Sequence, residues 1–303
     1  MLKLILISMR PKQWTKNLVV FAGIIFAKQL ADPWLFLRSI IAFILFCMVS
    51  GAIYLINDIA DKEQDRLHPR KQFRPIASGK LPTGQAGFAA TIILLISTAI
   101  AFILSPLFGV GLLLYFVMML AYSYYLKHIV ILDILVIALG FVLRAYAGVI
   151  VHPNLTASKW LLMCAFFLAL FLIISKRRHE LVLLEDKANN HRQVLLEYSA
   201  GFLDQMVAIV TSMTVFSYAL YTISRETIEK FQTHSLILTF PFVLFGILRY
   251  LYLVYRRGEG GEPETILLQD KPLLMTILLW LILVISIIYY PTPFDQFLRL
   301  GTD

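Results

Sequence analysis

Charge is scarce in this chain of 303 residues. Asp, Glu, Lys and Arg make up 15 % of it, against 59 % hydrophobic residues. Soluble domains carry about a quarter of their residues as charges, so an ordinary water-soluble globule is excluded. Cysteine is rarer still. Cys47 and Cys164 both sit inside apolar runs, which excludes a disulfide framework or a thiolate zinc site and makes both packing residues. No P-loop string, zinc-ligand spacing or haem-attachment string occurs, and the functions those motifs carry fall with them. The first ten residues lack a proper apolar h-region and a small-residue cleavage site, so no cleavable signal peptide is expected. Acid is the scarcer sign, 19 residues against 27 basic ones. The balance of +8 suits anionic headgroups and anionic substrates. Nucleic acid is not an expected partner, because the bases lie in loops between apolar runs.

What is abundant is long apolar sequence. A bilayer-crossing helix takes roughly 20 apolar residues. Nine stretches qualify, at approximately 17–31, 34–56, 85–105, 107–126, 129–150, 159–175, 205–224, 234–255 and 272–290. The expected fold class is therefore all-α, a polytopic membrane protein of nine transmembrane helices forming one domain over 1–303. Nine crossings divide the flanks into two sets. One holds only Lys28, Arg38, Lys159, Arg225, Lys230 and Arg299; Arg144 and Arg249 lie inside spans; the other 19 of the 27 basic residues share the remaining flanks. Basic loops stay in the cytoplasm, so the N-terminus and the charged loops are expected inside and the C-terminus outside.

The densest polar stretch is NDIADKEQDRLHPRKQFRPIASGK, residues 57–80. Asn57, Asp58, Asp61 and Asp65 fall at offsets that share one helical face. Hard divalent cations bind such oxygens, and Mg²⁺ typically combines one or two carboxylates with substrate phosphates. Lys62, Arg66, Arg70, Lys71, Arg74 and Lys80 lie in the same stretch. Acids suited to a metal beside bases suited to phosphate point to a metal–diphosphate site. A solvated charged loop is the plainer alternative.

Other polar residues are sparser. Lys12 and Lys16 flank Trp14 before the first span, either as an interfacial anchor or as the rim of an anion site. Tyr122, Ser123, Lys127 and Asp133 cluster where the fourth and fifth spans meet. Asp133 and Arg144 share a face of the fifth span. Ionisable residues within a span are costly and by default functional. Arg144 is favoured as an anion-facing residue, with an ion pair to Asp133 as the alternative. Lys176, Arg177 and Arg178 follow the sixth span and either bind phosphate or enforce topology. The acids of the loop between the eighth and ninth spans read as loop solvation or ion pairing.

NDIADKEQD, followed by RPIASG, resembles the NDxxDxxxD signature of the UbiA superfamily of membrane prenyltransferases. The strings RPKQWTKN (10–17), LKHIVILDILVIALGFVLRAYAG (126–148) and KRRHEL (176–181) resemble one branch of it, the polyprenyl-phosphate (decaprenyl-phosphate) phosphoribosyltransferases. The resemblance implies nine helices around a central cavity, capped by cytoplasmic loops and open laterally to lipid. It also implies a trimeric homo-oligomer. One departure is informative: aromatic-acceptor prenyltransferases carry a second Asp-rich motif after the sixth helix, where this chain has KRRHELVLLED. One acidic motif plus a basic cluster suits a diphosphate held on metal and a lipid monophosphate held on Arg or Lys.

The expected reaction transfers 5-phosphoribose from 5-phosphoribosyl 1-diphosphate to a polyprenyl phosphate in the bilayer. Asp58, Asp61 and Asp65 would hold Mg²⁺, with Mn²⁺ as an alternative ion, and Asn57 would orient them. Arg70, Lys71, Arg74 and Lys80 would clamp the sugar phosphates, while Arg144, Lys127, Lys176 and Arg177 are candidates for the lipid phosphate. Lys12, Lys16, Tyr122 and Asp133 complete the expected substrate-binding set. Rival readings are an aromatic-acceptor prenyltransferase of the same fold and a transporter without chemistry. For the topology, cysteine-accessibility labelling at Gln72 and at Thr302 should report opposite sides of the membrane. Labelling from one side would remove a crossing.

Overall fold

The computed structural model describes residues 1–69, 71–185, 195, 197–258, 260, 261 and 263–299. Arg70 and Thr302 lie outside them. The described residues contain helices and no strand, as a bilayer requires of a chain that must satisfy its own backbone. Among the described residues, eight helices are long and apolar enough to cross a membrane, marking an integral membrane protein.

The chain divides into two compact units, one of Met1–Ile24 and Leu30–Thr156, the other of Ile25–Gln29 and the chain from Ala157 on. In the first, α1 (Leu2–Ser8) leads through a 3₁₀ segment (Pro11–Phe21) into α2 (Ala22–Phe26), which the boundary after Ile24 divides. Then come α3 (Pro33–Ala60), α4 (Lys62–Leu67), α5 (Thr83–Leu104), α6 (Pro106–Tyr124) and α7 (Leu132–Ile150). The second unit holds α8 (Lys159–Glu185), α9 (Ala200–Ile223), α10 (Arg225–Phe231), α11 (Phe240–Arg256), α12 (Pro263–Gln269), α13 (Lys271–Tyr289) and α14 (Thr292–Arg299).

The first expected crossing differs from its expectation. Residues 17–31 do not form a spanning helix; the chain there runs as the 3₁₀ segment and then the five residues of α2. The reason is its packing. Asn17 is buried and bonds to three partners: Nδ2 reaches Cys47 Sγ and Ser50 Oγ on α3, each at 3.3 Å, and Oδ1 accepts from Arg144 on α7 at 2.8 Å. The tighter segment also presses backbone to backbone against α7. A Cβ added at Gly148 would meet the Val20 carbonyl oxygen at 1.9 Å, and one at Gly23 would meet the Gly148 carbonyl oxygen at 2.1 Å. At about 2.0 Å of rise per 3₁₀ residue and 1.5 Å per α residue, Pro11–Phe26 still extends roughly 30 Å.

Helix starts are written in the sequence. Asp32 accepts the backbone N–H groups of Trp34 and Leu35 ahead of α3, Ser105 accepts that of Phe108 in α6, and Asp270 accepts that of Leu273 in α13. In each case a proline opens the first turn, where its missing N–H costs nothing. Asp270 also receives a forked pair of hydrogen bonds from Arg249, at 3.1 and 2.8 Å. That fork, ahead of the cap bond, holds its carboxyl below the usual range. The ion-pairing reading of this loop is therefore borne out for Asp270.

At the Pro33 end of α3, polar side chains close the carbonyl ends of α5 and α7. Arg38 donates to the Leu104 and Val151 carbonyls and Ser105 Oγ to that of Ile150, replacing bonds the last turn cannot make for itself. Beside them His152 Nε2 lies 3.0 Å from Ser39 Oγ. Burial, and then the Arg38 charge, depress its pKa to about 4, so the ring is neutral at physiological pH. Between this end and the Asp58 end of α3, Phe46 packs on Phe108 and Tyr115 with ring centroids 6.0 and 5.3 Å apart. Small residues that let backbones approach are the main adhesive between helices in lipid. Gly148→Val should therefore lower the apparent melting temperature in detergent, by an overpacking cost of about 1–3 kcal/mol or more. A variant melting with the wild type would show that this approach is not needed.

Candidate functional site

The acidic face forms where α3 ends. Asn57 and Asp58 belong to its last turn, Asp61 stands between helices, and Asp65 is in α4. The break barely alters the register, because Asp61 N–H bonds to the Asn57 carbonyl and Asp65 N–H to the Asp61 carbonyl, both at 2.8 Å. The expected common face therefore survives a change of helix. Asp58 and Asp65 are buried and Asp61 is half-buried.

The loop after α4 is anchored by apolar residues. Ile76 and Leu81 are buried in a cluster with Leu55, Ala86 and Ala90 of α3 and α5, and Leu81 N–H bonds to the Pro75 carbonyl at 2.8 Å. This holds Arg74 over the acids, with Nη1 at 2.6 Å from Asp65 Oδ2 and 3.2 Å from Asp58 Oδ1. Arg66 turns away, bonding Glu63 and the Ala77 carbonyl. Lys71 and Lys80 are exposed at the rim. Lys127, in a 3₁₀ turn between α6 and α7, brings Nζ to 3.6 Å from Asp61 Oδ1.

A residue not singled out from the sequence completes the cluster. Arg10 Nη2 lies 2.5 Å from Asp58 Oδ1, and its guanidinium stacks 4.6 Å from the Tyr54 ring centre. Its backbone is left-handed, at φ 54° and ψ 68°, a conformation uncommon outside glycine. The available signal was the Arg10-Pro11 pair, which interrupts helix just before a basic run.

Arg144 is buried and held by neutral acceptors. Its Nε donates to Asn17 Oδ1 at 2.8 Å and its Nη2 to Tyr115 Oη at 2.5 Å. The rings of Tyr115 and Phe141 lie 4.7 and 5.0 Å from the guanidinium carbon. Among the described residues no carboxylate pairs with Arg144, so the Asp133 ion pair is not formed. Asp133 is fully buried in the first turn of α7, where the helix dipole favours a carboxylate. Tyr122 is buried, Lys16 half-buried and Lys12 exposed.

In the second unit the basic run of α8 meets acids of its own. Arg177, itself buried, bonds Glu180 Oε2 at 2.7 Å, and Lys176 Nζ is 3.9 Å from Glu180 Oε1. Arg178 bonds Asp204 Oδ1 at 2.5 Å and lies 4.1 Å from the Tyr255 ring centre, while Tyr255 Oη donates to the same Asp204 oxygen. Gly260 packs on His179, leaving no room for a Cβ.

Among the described residues no three Asp, Glu, His or Cys side chains are gathered as metal ligands. Asp58 and Asp65 are held by arginines and Asp61 faces a lysine. The donor chemistry nevertheless suits a hard cation: three carboxylates and the amide oxygen Asn57 Oδ1, which is closed to solvent and has no hydrogen-bond partner. A buried acceptor left unpaired is unfavourable, and a cation or its water would satisfy it.

Residues 17–264 match the UbiA prenyltransferase family. A decaprenyl-phosphate phosphoribosyltransferase of Corynebacterium glutamicum is 35 % identical over 292 residues, covering 93 % of this chain and 86 % of that protein. The protein of that name from Mycolicibacterium smegmatis is 33 % identical over 294 residues, 93 % of this chain and 92 % of its own. Among solved structures, a UbiA homolog from Archaeoglobus fulgidus bound to GPP and Mg²⁺ superposes with a TM-score of 0.70 at 20 % identity. It covers 94 % of this chain and 99 % of that one.

The Arg144 network gives a prediction separate from chemistry. Tyr115→Phe leaves a buried guanidinium short of one acceptor, a loss of about 1.5–3 kcal/mol for a bond to a charged group. Its apparent melting temperature in detergent should fall. An unchanged value would mean that the ring faces alone hold Arg144.

Proposed function

The chain belongs to the UbiA prenyltransferase family, and we propose that it transfers 5-phosphoribose from 5-phosphoribosyl 1-diphosphate to a polyprenyl phosphate. The products are polyprenyl-phosphoryl 5-phosphoribose and diphosphate. One observation carries this choice within the family: the acids of residues 57–65 are interleaved with arginines, while the last turns of α8 carry KRRHEL (176–181) rather than a second acidic motif. The likeness to phosphoribosyltransferases across nine-tenths of the chain supports the same substrates.

The reaction exchanges one bond at the sugar C1. The bond to the diphosphate oxygen breaks, and an oxygen of the lipid phosphate forms the new one. That phosphate is already anionic at neutral pH, so no general base is needed. Positioning and charge stabilisation then carry the rate. Asp58, Asp61, Asp65 and Asn57 would hold Mg²⁺ or Mn²⁺, whose bound charge favours departure of diphosphate. Arg74, with Lys71, Lys80 and Arg70 on the same loop, clamps the sugar phosphates. Lys127 stands at the edge of the acids. Arg144, lacking a carboxylate partner, leaves positive potential within the first unit for an anion. Lys176 and Arg177 would exchange Glu180 for the lipid phosphate. Lys12, Lys16, Tyr122 and Asp133 complete the proposed substrate-binding set.

The excess of basic residues in one set of loops supports a cytoplasmic active site in an inner membrane. The family match runs across both compact units, which supports one functional domain. A trimer rests on the family resemblance alone.

The test is purified protein in detergent, offered labelled phosphoribosyl diphosphate with polyprenyl phosphates and, separately, a prenyl diphosphate with 4-hydroxybenzoate. Lipid-linked phosphoribose should form only in the first mixture. Prenylation of the aromatic acid instead would overturn the substrate assignment. Chelation should abolish activity and Mg²⁺ restore it, and Asp61→Asn should lower kcat/KM by at least ~10²-fold. Full activity in excess chelator would exclude the metal.

A further inference from the structure

Asp58 is the most heavily engaged acid of the site. The same oxygen, Oδ1, accepts from Arg10 at 2.5 Å and Arg74 at 3.2 Å, and Arg74 also holds Asp65 at 2.6 Å. A carboxylate oxygen offers about two lone-pair positions, so Asp58 Oδ1 has no further capacity. The side chains of Asp58 and Asp65 are 3 % and 4 % exposed, whereas those of Arg10 and Arg74 are 31 % and 26 % exposed. The acids are closed off, and the arginines reach them from the open side.

We propose that Arg10 and Arg74 act as a cation latch: their guanidinium groups occupy the metal-binding carboxylates and release them only to a cation that arrives with a diphosphate. This rests on the metal–diphosphate reading of the site. It adds an order of binding and a positioning role for Arg10.

Three arguments support the latch. The first is charge. Three carboxylates face three cations, Arg10, Arg74 and Lys127, so the cluster is already neutral. A dication alone adds two positive charges to a buried, already balanced site, whereas diphosphate brings negative charge that offsets the dication and also gives the displaced guanidinium groups a partner. The second is desolvation. Pulling an arginine from a buried carboxylate without a replacement leaves a bare charge, so the exchange must be coupled. The departing guanidinium needs an anion, and diphosphate supplies one that arginine binds through paired hydrogen bonds.

The third is the mounting of Arg10. It sits in the left-handed region between α1 and the 3₁₀ segment, a strained backbone of the kind concentrated at ligand clamps. Its guanidinium rests on the ring of Tyr54, one turn before Asp58 on α3. The ring is a resting surface that does not depend on the carboxylate, so the side chain can leave Asp58 without leaving the site.

The latch predicts the sign of an effect that mere structural support would not give. Equilibrium dialysis of the full-length protein with radioactive Mn²⁺, with and without inorganic diphosphate, reads it directly. The wild type should retain Mn²⁺ weakly alone and about tenfold or more tightly with diphosphate. Arg10→Gln should bind Mn²⁺ alone about tenfold more tightly than wild type, because a competing cation has gone. Diphosphate should then add less. Arg74→Gln should move in the same direction, and Arg10→Lys should keep the wild-type pattern. Arg10→Gln and Arg74→Gln proteins that fold, as judged by melting in detergent, yet bind Mn²⁺ no better than wild type would overturn the latch while leaving the metal site standing. If the wild type retains no Mn²⁺ even with diphosphate, the metal reading fails and the latch with it.

Discussion

A buried carboxylate must find a positive partner, and much of the first unit is arranged around that requirement at Asp58. The group sits in the last turn of a 28-residue helix, where neither lipid nor bulk water can stabilise its charge. Arg10 comes from the chain before the 3₁₀ segment and Arg74 from the loop after α4. The apolar anchors Ile76 and Leu81 hold that loop down, and a left-handed residue turns the N-terminal segment inward. Segments far apart in sequence are thus tied by one charge.

The same economy governs the rest of the unit. Without a hydrophobic driving force between helices in lipid, close packing and polar links carry association. The Val20, Gly23 and Gly148 contact supplies the first; Asn17 supplies the second by linking the 3₁₀ segment to α3 and α7. Arg144 is the unusual member, a buried cation satisfied by an amide, a phenol and two ring faces. Neutral acceptors hold the group without cancelling its charge.

The second unit uses its bases differently. Lys176, Arg177 and Arg178 each have an acid close by, two sharing Glu180 and one on Asp204. Two acids thus partly offset three bases, in contrast to Arg144.

Patterns local in the chain were legible in the sequence. Apolar length marked the eight spanning helices, and Asp-Pro, Ser-Pro and Asp-Lys-Pro marked the starts of three of them, because capping depends only on neighbours. The spacing of Asn57, Asp58, Asp61 and Asp65 put them on one face, and the register held even where the helix changed. Family membership followed from those motifs. Three features could not be read this way. Residues 17–31 look like a spanning helix by composition, but their backbone follows the close approach of Gly148, more than a hundred residues on. Arg144 could be placed on one face with Asp133 from the sequence, but its acceptors, Asn17 and Tyr115 on other elements, could not be. Arg10 was not singled out from the sequence and pairs with Asp58. Hydropathy and periodicity describe each segment against a uniform solvent. The partner of a buried charge and the room beside a backbone depend on which distant segments share its surroundings, and only the tertiary structure decides that.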